Sequence, residues 1–328
     1  MEPITPAELE RAVAVTRSVE EAFTATVVGQ RGLLRSLLIT VMARGHLLME
    51  SVPGLAKTLS ASTLARAVDA SFSRIQCTPD LLPSDILGTQ VFDPATTSFE
   101  TRLGPVHAHF VLLDEINRSS AKTQSAMLEA MQERQTTIGG HTHLLPHPFL
   151  VLATQNPIDE EGTYVLPQAQ MDRFLLKEVL DYPTPLEETE MLGRIADGTL
   201  SAPSGGPVAS LDDVVFLQDV TSRVHVAESV RRYIVELVNV TRNPGAFLAS
   251  ETARYVEHGA SPRASIAFLQ TARAAAVLAG RDHVLPEDVV GLRHAVLRHR
   301  LLLTFEASAA RVSPDAVVDA VFAAVPTP

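Results

Sequence analysis

Two short stretches carry residue types at spacings that do chemistry. The first is Glu50-Ser51-Val52-Pro53-Gly54-Leu55-Ala56-Lys57-Thr58, where a turn-forming Pro-Gly is followed by a lysine and a threonine. Where such a loop opens a helix, backbone N–H groups face an anion, the lysine adds a mobile positive charge and the threonine hydroxyl can join a Mg²⁺ shell, a combination suited to a polyphosphate. The second is His109-Phe110-Val111-Leu112-Leu113-Asp114-Glu115, an apolar run ending in adjacent carboxylates. One carboxylate can organise a metal shell while its neighbour polarises an attacking water. Against the pattern G-x-x-x-x-G-K-[ST], the two glycine positions of the first stretch are Ser51 and Ala56. The Cβ of Ala56 restricts positive φ, which leaves the loop geometry to be settled.

Three further positions could complete such a site. Phe149 to Thr154 is an apolar run followed by Gln155-Asn156-Pro157, which places the Asn156 amide at a strand edge. There it could orient a water or touch a terminal phosphate, although Asn before Pro also forms ordinary turns. Arg173 lies in Gln170-Met171-Asp172-Arg173-Phe174, and Arg263 lies in Ser261-Pro262-Arg263-Ala264 at a helix start. A guanidinium reaching a terminal phosphate from a neighbouring subunit stabilises transition-state charge. An isolated arginine is more commonly a solvated salt-bridge partner.

These residues need a frame. Apolar spacing predicts a helix over Leu9 to Val27, an interruption at Val28-Gly29-Gln30, and a second helix from about Arg31 to Arg44. The run His46 to Met49 then reads as a strand, and Lys57 to Val68 as a helix, so that Lys57-Thr58 open a helix after a strand-and-turn unit. Phe72 to Cys77, Phe110 to Leu113 and Phe149 to Thr154 are further β-rich runs separated by helical material, the alternation of a parallel sheet covered by helices. Thr89 to Asp93 with Phe99 to Leu103, and Thr136 to Leu145 centred on Gly139-Gly140, read as inserted β-hairpins. A turn-rich stretch, Asp197 to Pro207, precedes periodicity that is helical throughout: Leu211 to Val224, Ser229 to Thr241, Ala264 to Leu278 and Pro286 to Leu301. The expected organisation is an α/β domain at 1–197 and a smaller all-helical domain at 198–328.

Composition narrows the partners. Lys plus Arg total 27 against 38 Asp plus Glu, a net charge of −11, which disfavours binding to a phosphate backbone. Only three of the cations are lysines, so one inside a motif is not random filling. Cys77 is the sole cysteine, which excludes an internal disulfide. No apolar run reaches the ~18 residues of a membrane span, and the acidic start lacks the order of a secretory signal, so a cytoplasmic protein is expected. His141, His143 and His147 lack a closed zinc ligand set and read as solvated loop histidines suited to touching a partner. Met127 and Met131, four residues apart, read as helix packing.

Taken together, the motifs resemble the AAA+ ATPases, and within them the MoxR group. The resemblance is carried by Val28-Gly29-Gln30, the loop Gly54 to Thr58, Leu112 to Arg134, Ala153 to Pro157, Gln168 to Leu176 and Gly259 to Ala264, and extends over nearly the whole chain. Ser51 departs from the usual glycine. The resemblance implies an AAA+ P-loop core with a parallel sheet and β-hairpin inserts, followed by a helical lid. It implies ATP and Mg²⁺ as cofactors, with Pro53, Gly54, Leu55, Ala56, Lys57 and Thr58 in the Walker A loop and Asp114 and Glu115 as Walker B. Thr58 and Asp114 would hold the metal, Asn156 would be sensor one, Arg173 the arginine finger and Arg263 sensor two, while Val28, Gly29 and Gln30 would flank the adenine. It further implies a homo-oligomer, a hexameric ring in this group, acting as a chaperone on a client, which in the group frequently carries a von Willebrand factor A domain. Two other readings stay open at this point: a nucleotide-binding scaffold with negligible hydrolysis, and a nucleic-acid motor, which the net charge argues against.

Overall fold

Short apolar runs that cannot satisfy their backbone groups alone pair into a five-stranded sheet, seen in a computed structural model that describes residues 2–52, 54–156, 164, 166–198 and 206–328. Along the chain, helix α1 (Pro6–Thr26) and α2 (Arg31–Met42) lead to strand β1 (Leu47–Ser51), then α3 (Lys57–Ala67) and β2 (Phe72–Gln76). A short α4 (Pro83–Leu87) precedes a hairpin of β3 (Gly88–Asp93) and β4 (Ser98–Leu103). Strand β5 (Phe110–Asp114) and α5 (Ala121–Glu133) follow, then a second hairpin of β6 (Gln135–Ile138) and β7 (His141–Leu144), β8 (Leu150–Gln155), α6 (Gln168–Met171), β9 (Leu176–Leu180) and α7 (Pro185–Ala196).

The sheet order is β2-β5-β8-β1-β9, with the β2–β5, β5–β8 and β8–β1 pairs parallel. Every residue of β5 and the first five of β8 are buried, as expected of interior parallel strands covered on both faces, whereas edge strand β2 buries only Ile75. His46, itself buried, fastens two of these elements: its Nδ1 accepts from the Val151 amide at 3.0 Å and its Nε2 donates to the Met131 carbonyl at 3.2 Å. Met127 and Met131 are buried on the inner face of α5, as their spacing predicts. Both hairpins are present. Gly88 starts the first at φ +117°, where a Cβ would lie 2.4 Å from the Arg102 carbonyl oxygen, so the strands close only over glycine. His143 is half-buried on the second hairpin with its ring 6.4 Å from that of His107, rather than solvated; His141 and His147 are exposed.

The remaining elements are α8 (Leu211–Arg223), α9 (Glu228–Arg242), α10 (Pro244–Phe247), α11 (Ser250–Ala253), β10 (Val256–His258), α12 (Pro262–Leu278), α13 (Pro286–Val290), α14 (Arg293–Leu297), β11 (Leu302–Leu303), α15 (Phe305–Ala309) and α16 (Pro314–Ala324). Two features differ from uniform helical periodicity. The stretch 286–301 is two short helices, interrupted at Gly291-Leu292, a poor helix former followed by a residue at φ −107°. In addition, β10 and β11 pair antiparallel as a small ribbon.

The chain falls into two compact units that do not follow simple sequence halves. One comprises Arg17–Leu166 and Glu178–Val215; the other comprises Met1–Thr16, Pro167–Lys177 and Phe216–Pro328. Part of the turn-rich stretch expected between domains, residues 199–205, lies outside the described residues. Among the described residues no helix is long and apolar enough to cross a membrane.

Candidate functional site

The loop after β1 is built around backbone conformations that L-residues rarely adopt. Gly54 has φ +89°, with nothing within 4 Å of where a Cβ would stand. Ala56, the N-cap of α3, sits in the left-handed region at φ 54°, ψ 22°. The loop thus takes the geometry a glycine would adopt more cheaply, and the alanine costs about 1–2 kcal/mol of backbone strain. Ser51 needs no such freedom, because it is the buried last residue of β1 and its hydroxyl donates to the Val52 carbonyl at 3.0 Å. Leu55 is buried and anchors the loop. Lys57 and Thr58 form the first turn of α3, whose leading amides have no intrahelical acceptor and point toward any anion held there. Pro53 lies outside the described residues.

The acids stand at the end of β5, separated from β1 in the sheet by β8 alone. Thr154 on β8 ties them together: its hydroxyl donates to Asp114 Oδ1 at 2.8 Å and accepts from the Glu115 amide at 2.8 Å. From the other side β2 contributes Arg74, whose Nε donates to Asp114 Oδ2 at 3.2 Å, and Gln76, whose amide donates to Glu115 Oε2 at 3.3 Å. Arg118 pairs with the same Glu115 carboxylate at 3.1 Å, and Glu115 itself is left-handed at φ 57°, which turns its side chain off the strand direction. Asn156 follows β8 directly and is buried.

Because β1, β8 and β5 run parallel and adjacent, the loop that ends in Lys57-Thr58 and the Asp114-Glu115 pair leave the sheet at the same edge, one strand apart. Burial pushes the Lys57 ammonium below the usual lysine range, while the Asp114 and Glu115 carboxylates act on it in the opposite sense. The lysine and the two acids, more than fifty residues apart in sequence, thus lie at the C-terminal edge of the sheet, where α/β folds hold ligands. The donor set of amine, hydroxyl and carboxylate fits a magnesium polyphosphate. Among the described residues no group of three His, Cys, Asp or Glu side chains could cage a metal, and Mg²⁺ characteristically takes one or two carboxylates and fills its shell with phosphate and water.

Comparison with known proteins agrees with this geometry. The profile of the ATPase family associated with various cellular activities (AAA) matches residues 46–176, and that of the AAA lid domain matches residues 248–321. A relative named Chaperone MoxR1, from Mycobacterium tuberculosis, is 45% identical over 98% of this chain and 82% of its own length. Protein MoxR of Paracoccus denitrificans is 32% identical over 95% of this chain and 96% of its own. The chain belongs to the MoxR family of AAA+ ATPases. A crystal structure of a candidate ATPase from Cytophaga hutchinsonii, 42% identical, superposes with a TM-score of 0.92 over 98% of this chain and 97% of that one. The architecture is accordingly that of an AAA+ domain with a parallel five-stranded sheet followed by a helical lid domain.

The other expected site residues of this MoxR-family chain fall into two places. Val28, Gly29 and Gln30 make the turn between α1 and α2, with Gly29 and Gln30 both at positive φ, 69° and 55°. Gly29 is packed so closely that a Cβ would meet Glu187 Oε1 at 2.9 Å. Arg173 and Arg263 belong to the other compact unit. Arg173 is half-exposed, with Nε buried and without a hydrogen-bond partner among the described residues. Arg263, in the first turn of α12, has NH1 3.9 Å from Asp172 Oδ2. Sequence reasoning missed Arg74, Gln76 and Thr154. The first two lie two residues apart, on one face of an edge strand, a period-two signal that could have been read; Thr154 sits in an otherwise apolar run and gives no such signal.

Proposed function

We propose that this protein binds Mg-ATP at the C-terminal edge of its sheet, hydrolyses it, and uses the cycle to remodel or mature a client protein. The placement of Lys57-Thr58 after β1 and of Asp114-Glu115 at the end of β5, on one sheet edge with β8 alone between them, carries this reading. Gly54 to Ala56 shape the loop, Lys57 holds the phosphates, Thr58 and Asp114 hold the metal, and Glu115 polarises the attacking water. When bound, the magnesium ion neutralises phosphate charge and orients the polyphosphate. Thr154 keeps the Asp114 carboxylate facing the site, and Gln76 and Arg118 hold Glu115 until a water and a phosphate compete for it. Asn156 orients the water or the terminal phosphate, Arg173 and Arg263 supply positive charge to the transition state, and Val28, Gly29 and Gln30 flank the adenine.

The functional division is a nucleotide-binding domain at 1–197 and a lid at 198–328. The protein works as a homo-oligomer, a hexameric ring, in the cytoplasm. The exposed apolar side chains Leu186, Leu192 and Ile195 of α7, at 80%, 63% and 56% exposure, support association with further copies. The client is a protein, which in this family frequently carries a von Willebrand factor A domain; a net charge of −11 speaks against nucleic acid. The decisive test is Glu115→Gln, which keeps the side-chain shape and removes the base. It should retain Mg-ATP binding while phosphate release falls by about 10²–10⁴-fold; unchanged phosphate release in this variant refutes the reading.

A further inference from the structure

Arg173 is bracketed by one buried guanidinium. Arg300, whose side chain is 2% exposed, donates Nε to Asp172 Oδ1 at 2.9 Å, NH2 to the Phe174 carbonyl at 2.7 Å and NH1 to the Leu175 carbonyl at 3.2 Å. The residue before Arg173 and the two after it are therefore all held by the same group. The second oxygen of Asp172 reaches elsewhere: Ser261 Oγ donates to Asp172 Oδ2 at 2.6 Å. Ser261 is the N-cap of α12, and the same hydroxyl accepts from the Arg263 amide at 3.1 Å. One path from Arg173 to Arg263 is a peptide bond and two hydrogen bonds, and a looser one is the 3.9 Å approach of Arg263 NH1 to Asp172 Oδ2.

We infer that Asp172 is a positioning residue whose carboxylate joins the segment presenting Arg173 to the helix start presenting Arg263, so that the two guanidiniums move as one body and displacement of either is transmitted to the other. This rests on the proposed roles of both arginines in ATP hydrolysis. Stability alone is a weak reason to keep such an arrangement. Desolvating a buried ion pair costs about as much as the pairing returns, and well-packed apolar side chains would serve as well. An ion pair does fix position: Asp172 can satisfy Arg300 and Ser261 together only in one orientation, and that orientation sets the backbone from which Arg173 projects.

The test separates the joint from the fold. Ser261→Gly retains N-capping almost fully and removes the hydroxyl that reaches Asp172, leaving the Asp172–Arg300 pair intact; Ser261→Thr keeps the hydroxyl. With the full-length protein at saturating Mg-ATP, Ser261→Gly should lower kcat about 100-fold, the cost of misplacing a catalytic group by an ångström. Its affinity for a fluorescent ATP analogue should stay within about 3-fold, as for a group acting only in the transition state, and Ser261→Thr should restore kcat. In an Arg173→Ala background Ser261→Gly should cause a much smaller further loss than in wild type, because one of the two guanidiniums that the joint aligns is gone. Asp172→Asn, which leaves Arg300 without its counter-charge, should show the same non-additivity with Arg173→Ala if it folds; full additivity overturns the inference. Wild-type kcat in Ser261→Gly alongside a strongly impaired Arg173→Ala overturns the coupling and leaves the ATPase reading standing. Wild-type kcat in Arg173→Ala overturns the finger assignment and the coupling with it.

Discussion

His46 is the sharpest quantitative handle on the frame that holds the site. Its ring accepts from the Val151 amide and donates to the Met131 carbonyl, so it is held neutral with the proton on Nε2, and burial drives its pKa from the ordinary 6.5 down to about 4. The unfolded chain therefore takes up a proton near pH 6.5 while the folded protein refuses it until about pH 4. Stability from this group is complete above pH 6.5 and drains away as pH falls through the interval to 4. Each tenfold change in proton affinity is worth about 1.4 kcal/mol, so the full effect is roughly 3 kcal/mol, of which about 2 kcal/mol is lost between pH 7.5 and pH 5. Urea unfolding of wild type and His46→Gln at those two pH values isolates the contribution. His299, His107, His109 and His147 are also shifted downward, mainly by burial, and slope the same way, but they are common to both proteins. The glutamine variant should be less stable at pH 7.5, yet lose about 2 kcal/mol less than wild type on going to pH 5. Equal losses in the two proteins would refute the assignment of a neutral, buried His46 clamping β8 to the end of α5.

Three other substitutions or reagents probe the site directly. Thr154→Val conserves shape but strips the hydroxyl shared by Asp114 and the Glu115 amide, and it should cost about 1–3 kcal/mol in urea unfolding together with a clear fall in phosphate release; wild-type values in both assays would show that the bridge is idle. Ala56→Gly relieves left-handed strain of about 1–2 kcal/mol against roughly 0.5–1 kcal/mol of added chain entropy, so its melting temperature should hold or rise slightly, while Ala56→Val should lower it. Cys77 is buried, with burial pushing its thiol pKa up to about 12, so Ellman's reagent at pH 8 should leave the folded protein untouched and react with one equivalent after unfolding.

Much of this protein is encoded by local pattern. The strand, turn and helix around Lys57-Thr58 follow from an apolar run, a Pro-Gly and a resumed helical period, and the two hairpins follow from alternation about turn formers. Asp114-Glu115 could be placed at a strand end because the apolar residues before them have only one stable environment. Yet a fully buried strand looks alike from both faces, and its composition does not say which strand lies beside it. That β8 intervenes between β1 and β5, and so brings Thr154 under Asp114, is a consequence of parallel pairing between segments far apart in the chain. The link from Asp172 to Arg300 and Ser261 is equally non-local, spanning 128 and 89 residues, and a solitary aspartate beside an arginine gives no hint of it. The β10–β11 ribbon was hidden for a related reason, since two or three residues are too few to display a period. Local propensity specifies which elements form and which reactive groups they carry. Which of those groups meet is decided by long-range packing, where the free energy comes from burying surfaces that no single segment contains.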